Sequence, residues 1–495
     1  MNKRMILSLL GKIILLEAGL MALPLIVAVI YGEKNVVWAF LWTVVGSCAL
    51  GGLIQAFCRP KDRVIYAKEG FIIVALAWLT MSAIGAVPFV LSGEIHSYVD
   101  AFFETVSGFT TTGSSILRNV EEMSRGLLFW RSFTHWIGGM GVLVLIVAIL
   151  PSSSSSRSIH ILRAEMPGPT MGKLVPKMRN TAKILYIIYI CMTAVEIILL
   201  LCGGMPLFDS LVHAFGTAGT GGFGIKADSI TSYNHYLQWV ITIFMFLFGM
   251  NFNVFYFILI GRFRSAFRNA ELICYVGLAL VSAAVIAVNI FPQYDSVSDS
   301  IRLSAFQVSS IMTTTGYATA DFNAWPILSK TILLVLMFIG ACAGSTGGGL
   351  KISRLLLLFK MFGRERKRLV HPRAVSIAKM DGKRVDDATL HGTGNYLAIY
   401  CMVFFVGFLL ISVSPPAGFD IETNFSAMAA CFNNIGPGLS LVGPTCNFGF
   451  FNNFSKYILM FDMLAGRLEL FPLLILFHPS IWKELFIQAD KKVKG

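Results

Sequence analysis

The sequence predicts an all-α integral membrane protein: two N-terminal helices, then four repeats of span, half-helix, loop and span around a central pore. Three observations carry this prediction. First, 56% of the 495 residues are hydrophobic and only 14% are charged, whereas soluble domains carry roughly 25% charged residues. Second, ten apolar runs are each long enough to cross a bilayer, which takes about 20 helical residues. Third, four short polar, glycine-bearing stretches sit between these runs: SGFTTTGSS (107–115), GTAGTGGFG (216–224), SSIMTTTGY (309–317) and CFNNIGPGL (431–439).

The apolar runs fall near 7–31, 36–57, 69–92, 126–150, 181–204, 236–260, 271–291, 327–361, 393–414 and 454–477. The first follows a basic start and runs to Tyr31 with no A-x-A site after it. That is too long for a signal-peptide core, so it reads as a retained helix. Only the run at 327–361 is expected to be interrupted, by GACAGSTGGGLK at 340–351. The formal net charge of +13 does not indicate a nucleic-acid partner, because Lys and Arg gather in short segments between apolar runs. Segments 58–68, 151–183, 261–268, 360–384 and the tail KKVKG are basic, and the alternate segments are poorer in Lys and Arg. By the positive-inside rule both termini are cytoplasmic. The longest cytoplasmic loops are then SSSSS with its surroundings and 360–392. A basic surface of this kind is a solvated or lipid-facing edge, with partner docking as the alternative.

Each polar stretch is preceded by an apolar run of about ten residues, which rises about 15 Å as a helix, half a bilayer. These are re-entrant half-helices. The expected divisions are 1–66 for the N-terminal pair, 67–150 for the first repeat, 151–262 for the second, 263–385 for the third and 386–495 for the fourth. Non-helical backbone at membrane depth is tolerated only where protein or water surrounds it. Four such loops converging on one axis offer carbonyl rings that replace the hydration shell of a cation. Glycine turns those carbonyls because it reaches backbone angles other residues avoid. The half-helix C-termini add partial negative charge. The loops hold no acidic ring, which argues against divalent selectivity. The eight histidines are scattered and no nucleophile, base or metal set converges, so an enzyme is not expected. The nine cysteines include no CxxC pair, and Cys191, Cys202, Cys274 and Cys401 sit inside apolar runs as packing residues.

These motifs, with HWIGGMGVLVLIVAILP (135–151), GSTGGGLKISR (344–354) and LAGRLELF (464–471), resemble the membrane subunit of the Trk/Ktr/HKT superfamily of potassium transporters, in its bacterial TrkH type. The likeness spans nearly the whole chain. It implies passive potassium uptake through a pore in the cytoplasmic (inner) membrane. Potassium is then the substrate and the only metal, and no cofactor is held by this chain. It also implies a homodimer in membrane lipid, gated by a cytosolic RCK-type nucleotide-binding subunit. Carried over by position, the filter would comprise Thr111, Thr112 and Gly113, then Thr220, Gly221 and Gly222, then Thr314, Thr315 and Gly316, and finally Asn434, Ile435 and Gly436. In the family, glycine in every segment goes with potassium, and serine in the first goes with sodium. The second and fourth segments depart from Thr-Thr-Gly, so the site is not fourfold symmetric. A symporter coupled to sodium or protons is the alternative, as is a less selective potassium/sodium pathway.

The segment GSTGGGLK nearly matches a phosphate-binding loop, with Gly344 and Gly349 correctly spaced, but Leu350 stands where that motif needs Lys. The resemblance implies a loop that plugs the pore beneath the filter, comprising Gly344, Ser345, Thr346, Gly347, Gly348 and Gly349, followed by Lys351. Arg467 lies deep in the last apolar run, where an arginine costs at least about 2.5 kcal/mol on insertion scales. The resemblance places it in the pore facing the plug. The alternative is an ion pair with Glu469 or Asp462. Glu104 precedes the first filter segment, and His135 and His213 read as hydrogen-bonded packing residues.

Overall fold

The structure is a computed structural model that describes residues 2–58, 67–141, 178–294, 296–373, 377–413 and 420–479. Two helices, α1 (Lys3–Leu20) and α2 (Ala22–Ile30), form one nearly continuous apolar span of 28 residues, and α3 (Lys34–Phe57) returns beside it. Then α4 (Ala67–Gly85) and α5 (Val87–Leu91) lead to a short helix, α6 (Tyr98–Phe109), a polar loop and α7 (Arg125–Gly139). The arrangement recurs three times. It runs as α8 (Met178–Cys202), α9 (Leu207–Gly219), α10 (His235–Phe248), α11 (Phe252–Leu259) and α12 (Phe263–Phe267). Next come α13 (Ala270–Tyr294), α14 (Val297–Met312), α15 (Ile327–Phe338) and α16 (Ile352–Val370). Last are α17 (Asp387–Ser412), α18 (Ile421–Phe432), α19 (Asn453–Arg467) and α20 (Phe471–Leu476). A two-residue hairpin, Lys379–Met380 with Lys383–Arg384, was not foreseen by the all-α reading. It turns at Asp381-Gly382, both at positive φ, the sequence that a tight hairpin favours.

The short helices α6, α9, α14 and α18 form the inner layer and the long spans the outer one. On α13, Leu280, Val281 and Val288 are exposed, as lipid-facing residues should be, while on α14 Phe306, Ile311 and Met312 are buried. Each short helix has an acid in its first turn: Asp100, Asp209, Asp299 and Glu422. Ser97, Ser296 and Asp420 cap three of them by accepting from the N–H of Asp100, Asp299 and Thr423. Both features favour the positive amino end of a helix.

Among the described residues, six helices are long and apolar enough to cross a membrane, or seven if the α10–α11 pair is one span. Ten uninterrupted or once-interrupted runs were expected. The expectation that only 327–361 is broken is wrong. The run at 236–260 bends by 92° between α10 and α11. The run at 454–477 stops at Arg467, and Glu469 and Leu470 both take positive φ. The described part of 126–150 ends its helix at Gly139. Residues 142–150 lie outside the described set, as do 59–66, most of the basic segment 151–183 and the basic tail. The bend after α10 is supported by a distant part of the chain. The backbone groups freed by the bend are taken up by the segment after α15: Cys342 N–H donates to Gly249 O at 3.0 Å, and Phe252 N–H donates to Gly344 O at 3.1 Å. A kink needs such partners for its orphaned groups.

Candidate functional site

Each short helix ends in the same backbone motif. The N–H of Thr112, Gly221, Thr315 and Ile435 donates to the carbonyl five residues earlier, at 2.8–2.9 Å. The N–H of the preceding residue, Thr111, Thr220, Thr314 or Asn434, donates three residues back at 3.0–3.2 Å. This is the Schellman helix stop, whose penultimate residue is left-handed and is usually glycine. Here that residue is Thr111, Thr220, Thr314 or Asn434, with φ of 56°, 56°, 59° and 56°. A β-branched residue is an outlier there, at a cost of roughly 1–2 kcal/mol. Strain repeated at the three threonines, with Asn434 the more tolerant residue at the fourth place, is held by the surrounding fold, as at functional sites generally.

Two residues on, Gly113, Gly222, Gly316 and Gly436 also take positive φ. Their neighbours close a ring. A Cβ added to Gly113 would lie 2.0 Å from the carbonyl oxygen of Gly221, one on Gly222 2.0 Å from that of Thr315, one on Gly316 2.0 Å from that of Ile435, and one on Gly436 2.9 Å from that of Thr112. The four segments therefore meet in cyclic order, each glycine against the middle carbonyl of the next segment. Only glycine satisfies both the backbone angle and the approach. A cavity of about 130 Å³ opens over the ring and is lined by all four glycines. Its charged lining is basic: Arg118, Arg131 and Lys226.

The departures from fourfold symmetry have visible causes. In the first and third segments, Thr110 pairs with Thr112 and Thr313 with Thr315, hydroxyl to hydroxyl at 2.8 Å. In the second, a Cβ on Gly221 would stand 2.2 Å from the His135 ring, and one on Gly219 2.3 Å from the His135 carbonyl. Threonine has no room at either place. His135 is held there by Gly108 O at 2.7 Å. In the fourth, Asn434 Nδ2 donates to Thr112 Oγ1 and to Met463 O, both at 2.9 Å, tying this segment to the first. His213 is a packing residue, bonded through Nδ1 to Asp209 O at 2.8 Å.

Glu104 braces the outer rim. It accepts from Arg131 Nε at 2.5 Å, Ser115 Oγ at 3.0 Å and Ile116 N–H at 3.0 Å. Arg131 reaches on to Gly224 O at 2.9 Å and stacks over Phe223. One buried ion pair thus joins the loops that follow the first and second segments. Removing one partner of a buried pair costs about 3–5 kcal/mol. Glu104→Ala is expected to lower the melting temperature of the detergent-purified protein markedly, with Glu104→Gln in between, as followed by intrinsic fluorescence.

The segment 340–351 lies against the third and fourth of these glycine-bearing segments. Gly348 N–H donates to Thr314 Oγ1 at 2.7 Å. A Cβ on Gly347 would lie 2.9 Å from Thr313 O, and one on Gly348 2.6 Å from Asn433 O. Gly344 and Gly349 take positive φ. Ser345 Oγ donates to Cys342 O at 2.7 Å, and Thr346 Oγ1 donates to Phe248 O at 3.3 Å. The Lys351 ammonium folds back onto the carbonyls of Gly347 and Gly348. Arg467 spans three repeats. Its Nη1 donates to Thr346 O at 2.7 Å, and its Nη2 to Gly138 O at 2.5 Å and Gly139 O at 2.7 Å. Glu469 instead pairs with Arg354, which also stacks over Tyr396.

Sequence reasoning missed Glu271, on α13. Its Oε1 accepts from Ala343 N–H at 2.7 Å and Ser353 N–H at 3.0 Å, pinning both ends of the segment. An acid opening an apolar run was the available signal, but nothing in sequence joins it to residues 72 and 82 positions away. Hydrogen bonds to a charged group contribute about 1.5–3 kcal/mol. Glu271→Ala is expected to speed amide hydrogen exchange across 340–353 by about tenfold or more, while Glu271→Gln, which keeps an acceptor, stays near wild type.

Four re-entrant helices whose ends meet in a glycine ring, enclosed by long apolar spans, define a multi-pass membrane protein of the transporter class. The chain belongs to the TrkH family: the family model, described as a cation transport protein, matches residues 38–484. The chain is 38% identical over 490 residues to the Trk system potassium uptake protein TrkH of Salmonella typhimurium, covering 98% of this chain and 100% of that protein. It is 37% identical to the protein of the same description from Escherichia coli K12, with the same coverage. The crystal structure of the potassium transporter TrkH from Vibrio parahaemolyticus superposes with a TM-score of 0.87 at 33% identity, covering 97% of this chain and all of that one. The family is one of transporters, not enzymes.

Proposed function

We propose that the chain conducts potassium into the cell, down its electrochemical gradient, through the ring formed by Thr111–Gly113, Thr220–Gly222, Thr314–Gly316 and Asn434–Gly436. The observation that carries this reading is the closed cycle in which each glycine packs against a carbonyl of the next segment, so closely that a Cβ added at three of the four would stand 2.0 Å from that oxygen. Carbonyls so placed replace a cation's hydration shell, and four half-helix C-termini add partial negative charge. A negative-inside potential contributes about 2.3 kcal/mol per charge per 100 mV, so accumulation needs no ATP chemistry in this chain.

In this proposal Gly344–Gly349 with Lys351 is the gate and Arg467 is its latch. The repeats are 67–150, 151–262, 263–385 and 386–495, after an N-terminal pair at 1–66. The chain sits in the cytoplasmic membrane with both termini in the cytoplasm, which the basic segments support. It works as a homodimer with a cytosolic RCK-type nucleotide-binding subunit. The relatives' description as part of a Trk system supports a partner of some kind. Coupled symport is the competing mechanism. Currents from purified protein in planar bilayers separate the two: reversal at the potassium equilibrium potential, unmoved by sodium or proton gradients, is expected. Reversal that shifts with either gradient would replace the channel reading with coupling.

A further inference from the structure

Away from the pore, the last turns of α16, the hairpin that follows it and the first residues of α17 enclose a cleft of about 330 Å³. Arg364, Arg368 and Arg384 line it, with His391 beside them. Two carboxylates, Glu365 and Asp387, also line it, and both are engaged by one arginine: Arg364 donates to Asp387 and lies 3.9 Å from Glu365. Arg368 and Arg384 are exposed, and neither has a carboxylate within 4.0 Å among the described residues. Arg368 complements the carboxyl end of α16, which accounts for one basic residue there. It does not account for Arg384, which arrives from the hairpin and closes on the same space. The amino end of α17, with its positive dipole end, completes the wall.

We propose that this cleft binds a phosphate group. Guanidinium forks match phosphate oxygens in pairs, and the volume suits a phosphate with its substituent. The group comes from a lipid headgroup or from a soluble anion. The lipid source is favoured because Ile377 in the cleft wall and Phe362, Leu369 and Val370 on the same end of α16 are exposed, offering acyl chains an apolar seat. Binding stands independently of the gating proposal. Its consequence for flux rests on that proposal: α16 runs unbroken from Ile352 to Val370, so an anion held at Arg368 acts on the segment before Ile352 through one helix.

The test is native mass spectrometry of the full chain titrated with phosphatidylglycerol and phosphatidylcholine, and separately with inorganic pyrophosphate. Wild type is expected to retain phosphatidylglycerol at least tenfold more tightly than phosphatidylcholine, and the double variant Arg368→Gln, Arg384→Gln to lose that preference. If lipid shows no preference but pyrophosphate binds wild type and not the double variant, the cleft stands with a soluble source. Equal binding of every probe by wild type and double variant overturns the proposal. Should the double variant fold poorly, Arg384→Gln alone, on the exposed hairpin, is expected to lose several-fold in the same comparison, and no loss there is equally contrary.

Discussion

Replacing Arg467 by alanine raises rubidium-86 uptake into proteoliposomes by about tenfold or more in the absence of any cytosolic partner. The guanidinium holds the carbonyl of Thr346 on one side and those of Gly138 and Gly139 on the other. It therefore pins the segment beneath the glycine ring to the first repeat. Charge-assisted hydrogen bonds contribute about 1.5–3 kcal/mol each, and 1.4 kcal/mol is a factor of ten in an equilibrium. Losing even one shifts a closed-favouring equilibrium by about that factor. Arg467→Lys separates two accounts of the effect. Lysine keeps the charge but presents a compact ammonium in place of a planar fork, so it cannot hold both sets of carbonyls. Uptake well above wild type in the lysine variant assigns the role to the clamp. Uptake at the wild-type level assigns it to charge alone. Unchanged uptake in the alanine variant, at equal reconstitution, removes Arg467 from the gate.

Gly113→Ser reduces discrimination between potassium and sodium by about tenfold or more, read as the ratio of inhibition constants for the two ions against rubidium uptake. The added Cβ would stand 2.0 Å from the Gly221 oxygen at a backbone φ of 81°, so the ring must open on that side. Strain of roughly 1–2 kcal/mol at a left-handed residue falls on the carbonyls that would coordinate the ion. Gly93 supplies the control. Its φ is 82° and nothing lies within 4 Å of an added Cβ. Gly93→Ser imposes similar backbone strain away from the ring, and should cost some stability while leaving the ion ratio unchanged.

The parts of the molecule that repeat were legible in its sequence. Four apolar decapeptides ending in Thr-Gly or Asn-Ile-Gly marked the half-helices, because a span too short to cross and a glycine at its end recur at matching places. What was hidden depends on contacts between repeats. The 92° bend after Phe248 lies inside an unbroken apolar run. Its only marks are Gly249 and Asn251, which caps α11 by accepting from Asn253 N–H at 2.9 Å. Neither mark requires a bend until the segment 340–351 is present to take the freed backbone groups. The absence of threonine at 219 and 221 was readable as a departure, but its cause, the His135 side chain and carbonyl, lies on a helix from another repeat. The partner of Glu469 could not be chosen from spacing, since Arg354 is 115 residues away.

The central claim is that four segments meet to form one potassium-selective path. It is tested most directly by rubidium-86 uptake into proteoliposomes loaded with potassium, with external potassium, sodium and lithium as competitors and Arg467→Ala measured alongside wild type. The account predicts uptake driven by the potassium gradient, suppressed by potassium at far lower concentration than by sodium or lithium, and larger in the Arg467 variant. No uptake by either protein, or equal competition by all three ions, would contradict it.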